Sequence, residues 1–180
     1  MKVMEVIEQG RFLGEEFLVW LWMRGLTEGG TSGVEGDQTA LFVDDQVQLV
    51  TERGDVKQMS LGKGNPAESR EAFEALAHGM RPSKFKIRLL SGDMEWTATL
   101  DAQTLSLSAL KLPPTQVKEV QGRMADRLFL MEEATGHLDR RFGRFVGERF
   151  ADPTLQTQLK DWIRQGLSGL AGEEVVPWES

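Results

Sequence analysis

Cysteine is missing from this sequence of 180 residues, and histidine occurs only twice. Without cysteine there is no disulfide framework, no thiol nucleophile and no cysteine-ligated zinc, which fits a protein of the reducing cytoplasm. His78 and His137 have no second potential ligand at a useful spacing, so we expect no metal site. The glycine-rich stretch lacks the spacing of a phosphate-binding loop, and we expect no cofactor.

Residues that could carry catalysis are also scarce. No serine lies in a nucleophile-elbow sequence. The acidic pairs Asp44 with Asp45 and Asp93 with Glu95 show no spacing that would bring carboxylates together around two metal ions, and aspartate is common in turns. We therefore expect a protein that is not an enzyme. A metal-dependent nuclease is the weakest of the functions that remain open.

Charge and hydropathy bear on two further classes of protein, those that coat nucleic acid and those that cross or pass through a membrane. A net charge of -7 argues against a protein that coats nucleic acid with its whole surface, although it leaves room for a local basic face. The apolar residues 17–23 are too few to cross a bilayer. The first ten residues carry Glu5 and Glu8 and lack the long apolar run of a secretory signal. We expect a cytoplasmic protein with no membrane partner.

This apolar run lies in a segment with helix start and stop signals, residues 12–24 (FLGEEFLVWLWMR). Glu15 and Glu16 favour the positive end of a helix, and Arg24 followed by Gly25 favours its end. The run leaves no polar face, so the helix should be covered on most sides. The sequence therefore predicts a buried N-terminal helix around which the rest of the chain packs.

The middle of the chain predicts a sheet, because apolar and polar residues alternate there between short turns. A mobile glycine-rich loop at residues 25–38 precedes the strands, and a helix capped by Asn65 interrupts them. The predicted strands are residues 39–52 (one bent strand or two), 56–61, 83–91, 94–100 and 105–112. Strands followed by helix indicate an α+β fold with a mainly antiparallel sheet. We expect one domain at residues 1–165 and a loose tail at residues 166–180.

The strand at residues 83–91 is the first candidate binding surface. Lys84, Lys86 and Arg88 alternate with apolar residues and so share one face, and Arg81 lies just before them. This positive row predicts contacts with phosphates. The alternative is the solvated polar face of a half-exposed sheet, and the residues alone leave both open.

Residues 115–150 predict one long helix, or a helical hairpin that turns near Gly136 or Gly143. Its apolar side chains recur at three- and four-residue steps, with Thr135 filling the one gap, and form a heptad-like seam, which predicts association with another subunit. The seam consists of Met124, Leu128, Met131, Leu138, Phe142 and Phe145. The same helix carries a second candidate phosphate-binding cluster, formed by Arg140, Arg141 and Arg144.

Four segments in this order resemble the recombination-associated RdgC family, specifically its longer, divergent members. The first is FLGEEFLVWLW at residues 12–22, and it is the most distinctive. The others read LFVDDQVQL at residues 41–49, GDMEWTATLD at residues 92–101 and LSLSALKLP at residues 105–113. The resemblance covers about residues 11–150, and the family's N-terminal half is absent from this chain.

The resemblance implies a non-enzymatic protein that binds duplex DNA without strong sequence preference. It also implies a homodimer or larger ring, a place at the nucleoid, and a restraining action on a RecA-type recombinase. The predicted DNA-binding residues are then Arg81, Lys84, Lys86, Arg88, Arg140, Arg141 and Arg144. The alternative is a protein-protein interaction module that associates through the helical seam and does not bind DNA.

Overall fold

A sheet and four helices make up the part of the chain that the computed structural model describes, residues 3–31, 38–51, 58–62, 69–115 and 117–170. For residues 3–12 and 170 only the backbone is described. The elements are α1 (Val3–Thr27), β1 (Ala40–Val50), β2 (Gln58–Gly62), α2 (Arg70–Ala77), β3 (Arg81–Ser91), β4 (Met94–Asp101), β5 (Leu107–Lys111), α3 (Val120–Ala151) and α4 (Leu155–Leu170). The predicted α+β class is confirmed.

The sheet has the strand order β2-β1-β3-β4-β5, and every neighbouring pair is antiparallel. β1 is one strand, and its register against β3 shifts between Val43 and Val47. The intervening Asp44 and Asp45 lie in this irregularity. Of the two sequence interpretations of residues 39–52, a single irregular strand is therefore the correct one.

The core lies between the sheet and the helices, and the aromatic residues of α1 lie at its centre. Phe17 and Trp22 are at most 1% exposed, so the predicted buried helix is confirmed. The Trp22 ring meets Phe85 of the sheet edge-on at a centroid distance of 5.2 Å, and it meets Trp162 of α4 at 5.8 Å. Phe17 packs against Phe145 of α3 at 5.5 Å. These contacts place α1 against the sheet on one side and against α3 and α4 on the other.

α1 is longer than the three turns expected from residues 12–24, since it comprises 25 residues. Gly14 permits its close approach to the sheet, because a Cβ atom added there would lie 1.8 Å from the carbonyl oxygen of Ala102.

α2 begins later than expected. Its N-cap is Ser69, whose hydroxyl accepts a hydrogen bond from the amide of Ala72 at 3.2 Å, and Asn65 lies outside the described residues.

α3 is a single helix of 32 residues, so the hairpin alternative is wrong. Gly136 and Gly143 lie inside it without breaking it. Its first buried residue is Leu130, whose carbonyl oxygen accepts a 3.0 Å hydrogen bond from the indole of Trp96. From this point to its C-terminal end, α3 packs on the domain.

Two segments expected to be irregular are partly ordered. The amide of Leu41 donates to the carbonyl of Gly30 at 2.8 Å, and Thr31 bridges to Ala40. The beginning of the glycine-rich loop is therefore fixed to β1, whereas residues 32–37 lie outside the described part. At the other end, α4 continues to Leu170, so residues 166–170 are helical rather than a tail. No helix in the described part of the chain is long and apolar enough to cross a membrane.

Candidate functional site

Three basic residues of β3 lie on the face of the sheet opposite the core. Lys84, Lys86 and Arg88 alternate with the buried side chains of Phe85 and Ile87. The described helices pack on the buried face. The basic side chains therefore share one solvent-facing surface, as the alternation predicts.

Carboxylates neutralise part of this surface. The ammonium group of Lys86 lies 2.7 Å from Asp45 Oδ1 and 3.4 Å from Asp44 Oδ2. The hydrogen bond to Asp45 and the charges of both aspartates raise the pKa of Lys86, against the effect of partial burial. Lys84 Nζ lies 3.7 Å from Asp101 Oδ2 on the neighbouring strand.

Arg81, at the start of β3, also has an acidic partner. One of its guanidinium nitrogens donates to Glu15 of α1 at 3.1 Å. The Glu15 side chain is 6% exposed, whereas that of Arg81 is 59% exposed. The ion pair therefore attaches the start of the strand to α1, and it lowers the positive charge that Arg81 offers to a ligand.

Arg88 differs from the other three because it is exposed and forms no ion pair with the described residues. In the sheet it lies opposite Thr97 of β4, and Thr97 lies opposite Lys111 of β5. Lys111 is also exposed and has no ion pair within the described part. Sequence reasoning missed Lys111, since only the strand order and register place it in one row with Arg88.

Arg141 was predicted to bind phosphates, and this prediction is wrong because the residue is 2% exposed. Its guanidinium donates to the backbone carbonyls of His137, Gly30 and Thr39 at 3.1, 3.3 and 2.9 Å, and to the Thr39 hydroxyl at 3.2 Å. These contacts connect α3 to the start of β1 and to the turn after α1. Arg141 is a buried structural arginine.

Arg144 belongs to an ionic cluster between α1 and α3. It donates to Glu148 at 2.7 Å and to Glu28 at 3.2 Å, and its guanidinium lies 5.5 Å from the centre of the Trp20 ring. Arg24 of α1 bonds the same two glutamates. The cluster balances its two arginines with two carboxylates, so Arg144 contributes little net charge to a phosphate site.

Glu148 is the acceptor at the centre of this cluster. Its carboxylate receives a hydrogen bond from the Trp20 indole at 2.9 Å and one from Arg24 at 2.8 Å, besides the one from Arg144. Burial alone would raise the pKa of Glu148, but the hydrogen bonds from Trp20 and the two arginines outweigh it. The pKa is therefore lowered below the ordinary value of 4.5.

Arg140 is the exposed member of the arginine cluster. Its guanidinium lies within hydrogen-bonding distance of the Nδ1 atom of His137, one turn earlier on α3. The three arginines therefore do not form one basic surface. One is buried, one is neutralised in the ionic cluster, and Arg140 faces solvent.

The predicted seam divides at the middle of α3. Leu138 and Phe145 are 6% and 0% exposed, so their assignment to an intersubunit seam is wrong. Phe142 is partly buried and meets Phe17 edge-on at 5.1 Å. Phe142 and Phe145 pack against Phe17 of α1, and Leu138 lies beside the sheet residues Leu41 and Ile87, because the C-terminal half of α3 forms one side of the core.

The other half of the seam is exposed, and the structure adds Val120 to it. We call Val120, Met124, Leu128 and Met131 the apolar stripe. Their exposed fractions are 73%, 69%, 57% and 46%. Steps of four, four and three residues keep the side chains within an arc of about 80° of the helix surface. The apolar stripe is therefore a continuous hydrophobic surface on the N-terminal part of α3.

A groove of about 1140 Å³ lies between α1, α4 and the start of β3. Two of its lining residues, Glu15 and Glu16, are buried acids. Glu15 pairs with Arg81, and Glu16 pairs with Arg149 of α3 at 3.1 Å. Their main contacts join helices and sheet, which is a structural role. No group of three potential metal ligands occurs among the described residues.

Comparisons with known proteins found no matching family model, no similar curated protein and no similar solved structure.

Proposed function

We propose that this protein is a self-association module that pairs with a second copy through the apolar stripe. The observation that carries the proposal is the exposure of four large apolar side chains on one face of α3. Contiguous apolar surface of this kind marks an interaction site more often than chance exposure of single residues does. The heptad-like spacing fits a second helix, because such spacing lets the side chains of two helices interlock.

Within the part of the chain that the structure describes, the first three turns of α3 are mostly exposed. Residues 117–121, 123–125 and 127–129 are exposed, and the helix meets the core only from Leu130 onward. A helical segment of about ten residues is marginal in water by itself. Covering the apolar stripe with a second copy would stabilise this segment and remove its side chains from water.

The area of the apolar stripe suits a weak, reversible dimer. If an exposed aliphatic side chain offers roughly 150–200 Å², the four exposed fractions sum to on the order of 400 Å² per copy. Two copies would bury about 800 Å², and the stems of flanking arginines would add to this. With these stems the buried area approaches roughly 1,000 Å², which is the lower end of specific interfaces. We therefore expect a dimer that dissociates on dilution.

Light scattering across a protein dilution series tests this proposal. The wild type should have a dimeric mass at high concentration, and Met124→Glu/Leu128→Glu should have a monomeric mass. Phe150→Glu is the control, since Phe150 is 79% exposed near the C-terminal end of the same helix and its replacement should leave the dimer intact. A wild type that is monomeric throughout, or a double variant that still dimerises, would refute the proposal.

Duplex DNA binding is the second candidate, and the row of Arg88, Thr97 and Lys111 favours it. Two exposed cations without ion pairs, with a hydroxyl between them, can contact a phosphate backbone without reading its sequence. This candidate corresponds to the RdgC-type activity that the sequence segments suggest, including restraint of a RecA-type recombinase. Carboxylates neutralise Lys84 and Lys86. The case for DNA binding is therefore weaker than the case for self-association.

A salt series with a fluorescent duplex of random sequence tests DNA binding. Affinity should fall steeply as salt rises, and Arg88→Glu/Lys111→Glu should abolish binding without changing the melting temperature. Replacing Lys86 would be a poorer test, because a glutamate beside Asp44 and Asp45 would disturb the fold. Arg164→Glu, on exposed α4 surface, is the matched control. Binding that survives the double substitution would exclude this surface.

A further inference from the structure

The face of α3 that carries the apolar stripe is occupied further along the helix. There it carries Leu138, Phe142 and Phe145, which pack within the same chain. A parallel partner helix would continue along these residues, and the two domains would overlap. In an antiparallel pair, residues 132–151 of the partner extend past Val120 and away from this packing. Of the two aligned arrangements, only the antiparallel one accommodates both domains.

The spacing of the apolar stripe defines the centre of an antiparallel pair. With the two-fold axis at about residue 126, Met124 lies opposite Leu128 of the other copy, and Val120 lies opposite Met131 of the other copy. Both pairings give nearly the same centre. Each exposed apolar side chain of the stripe then meets an apolar side chain of the other copy.

One edge of the apolar stripe carries two arginines. At about 100° per residue, Arg123 and Arg127 lie along this edge, and Glu132 lies along the other. All three side chains are exposed and form no ion pair with the described residues. The two-fold axis of an antiparallel pair brings equal edges together. The arginines of both copies therefore meet along one side of the pair.

We infer that this row of four arginines binds an anion with several phosphate groups, and that only the dimer completes the site. The inference rests on the proposed self-association and extends it. Along the pair, the arginines of the two copies alternate, and the row spans about 9 Å at 1.5 Å per residue. A guanidinium group can bind two phosphate oxygens at once. One copy alone offers half of the row.

The site couples anion binding to association. Without an anion, the four arginines repel each other, and this repulsion opposes pairing. A bound phosphate chain neutralises the row, so it favours the dimer over the monomer by mass action. The apolar stripe supplies the attraction in the absence of the anion, which agrees with the weak dimer expected from its area. Association and anion binding should therefore strengthen each other.

Light scattering of a dilution series with tripolyphosphate tests this coupling. Tripolyphosphate should lower the dimer dissociation constant several-fold relative to sodium chloride of the same ionic strength, because chloride screens the arginines without bridging them. Arg123→Gln/Arg127→Gln should give a tighter dimer than the wild type without phosphate, and it should not respond to tripolyphosphate. Arg164→Gln, on the exposed surface of α4, is the control and should respond like the wild type.

The same measurement with a short DNA duplex distinguishes two sources of such phosphates. A response to both anions, lost in the double variant, identifies a phosphodiester backbone as a ligand of the row. A response to tripolyphosphate alone identifies an inorganic phosphate chain. A wild-type dimer that does not respond to tripolyphosphate would overturn the inference.

Disulfide trapping tests the antiparallel geometry, since the sequence has no cysteine of its own. Val120→Cys and Met131→Cys should cross-link in a mixture of the two variants under mild oxidation, and neither should link to itself. In the antiparallel pair, the same position in the two copies is separated by about 15–18 Å along the helices for these variants. Phe129→Cys is the control, because Phe129 is exposed on the far side of α3 and should not link.

Each contrary outcome overturns a different step. Variants that link only to themselves would overturn the antiparallel geometry and with it the row of arginines. Mixed cross-links in a dimer that ignores tripolyphosphate would overturn the anion site and leave the proposed self-association intact. A dimeric mass without any cross-link would show that the copies meet elsewhere, which overturns the inference and the proposed surface together. A monomeric mass with and without tripolyphosphate would refute the self-association itself.

Discussion

Replacing Arg141 with alanine should destabilise the fold by about 2–4 kcal/mol. The side chain is 2% exposed, and its guanidinium connects α3 to Gly30 and Thr39. The Gly30 carbonyl would still accept a hydrogen bond from the amide of Leu41. Losing the guanidinium at this carbonyl should therefore cost little. The contact of the Thr39 carbonyl with the guanidinium would be lost, and the buried stem of Arg141 would leave a cavity. A lost partner for a buried polar group costs about 1–3 kcal/mol, and the lost packing adds to that.

Urea unfolding followed by tryptophan fluorescence measures this loss, and the melting temperature should fall by roughly 5–15 °C. Arg141→Met keeps most of the volume and should recover part of the packing term. Arg140→Ala is the matched control, because the neighbouring arginine is exposed and should cost less than about 1 kcal/mol. An Arg141→Ala variant with the urea midpoint of the wild type would refute the structural role, and the residue would return to the candidate phosphate contacts.

Two further predictions concern the fold. Gly14→Ala should destabilise the fold by about 3 kcal/mol or more, because the new Cβ atom would overlap the Ala102 carbonyl. A Cβ atom added at Gly143 meets nothing within 4 Å. Gly143→Ala should therefore stabilise α3 by up to about 1 kcal/mol. Urea midpoints check both, and equal effects at the two sites would contradict the close approach of α1 to the sheet. The lowered pKa of Glu148 means that its contribution is present above about pH 4.5 and is lost as the pH falls below that value. Glu148→Gln should therefore be less stable than the wild type at pH 7, with a difference that shrinks towards pH 3; a constant difference would contradict this.

Local patterns were sufficient for the secondary structure of most of the chain. Period-two alternation located β3 and β4, and the fully apolar run located the buried part of α1, because each pattern requires only the neighbouring residues. Boundaries that depend on specific contacts were less accurate. The α2 cap moved to Ser69, and α4 continued past residue 166, since packing against other elements determines where a helix ends.

The candidate sites could be predicted only in part, because sequence alone does not give the partners of a charged or apolar side chain. The arginine cluster of α3 predicts one basic surface. A helix turns by about 100° per residue, and in the structure Arg141 points inward and Arg140 outward. The seam likewise continues along α3, with Thr135 at its one position that is not apolar. Its division between Met131 and Leu138 depends on which part of the helix packs against the sheet and α1.

The sequence by itself determined the buried aromatic helix, the alternating strands, the α+β class and the apolar spacing of α3. These features follow from short-range periodicity and from the burial of apolar side chains. The tertiary structure decided which charges are neutralised, which half of the seam is exposed, and that Arg88 and Lys111 share a row. Each of these depends on strand register or on contacts between residues distant in the chain, and hydrophobic periodicity does not encode such contacts.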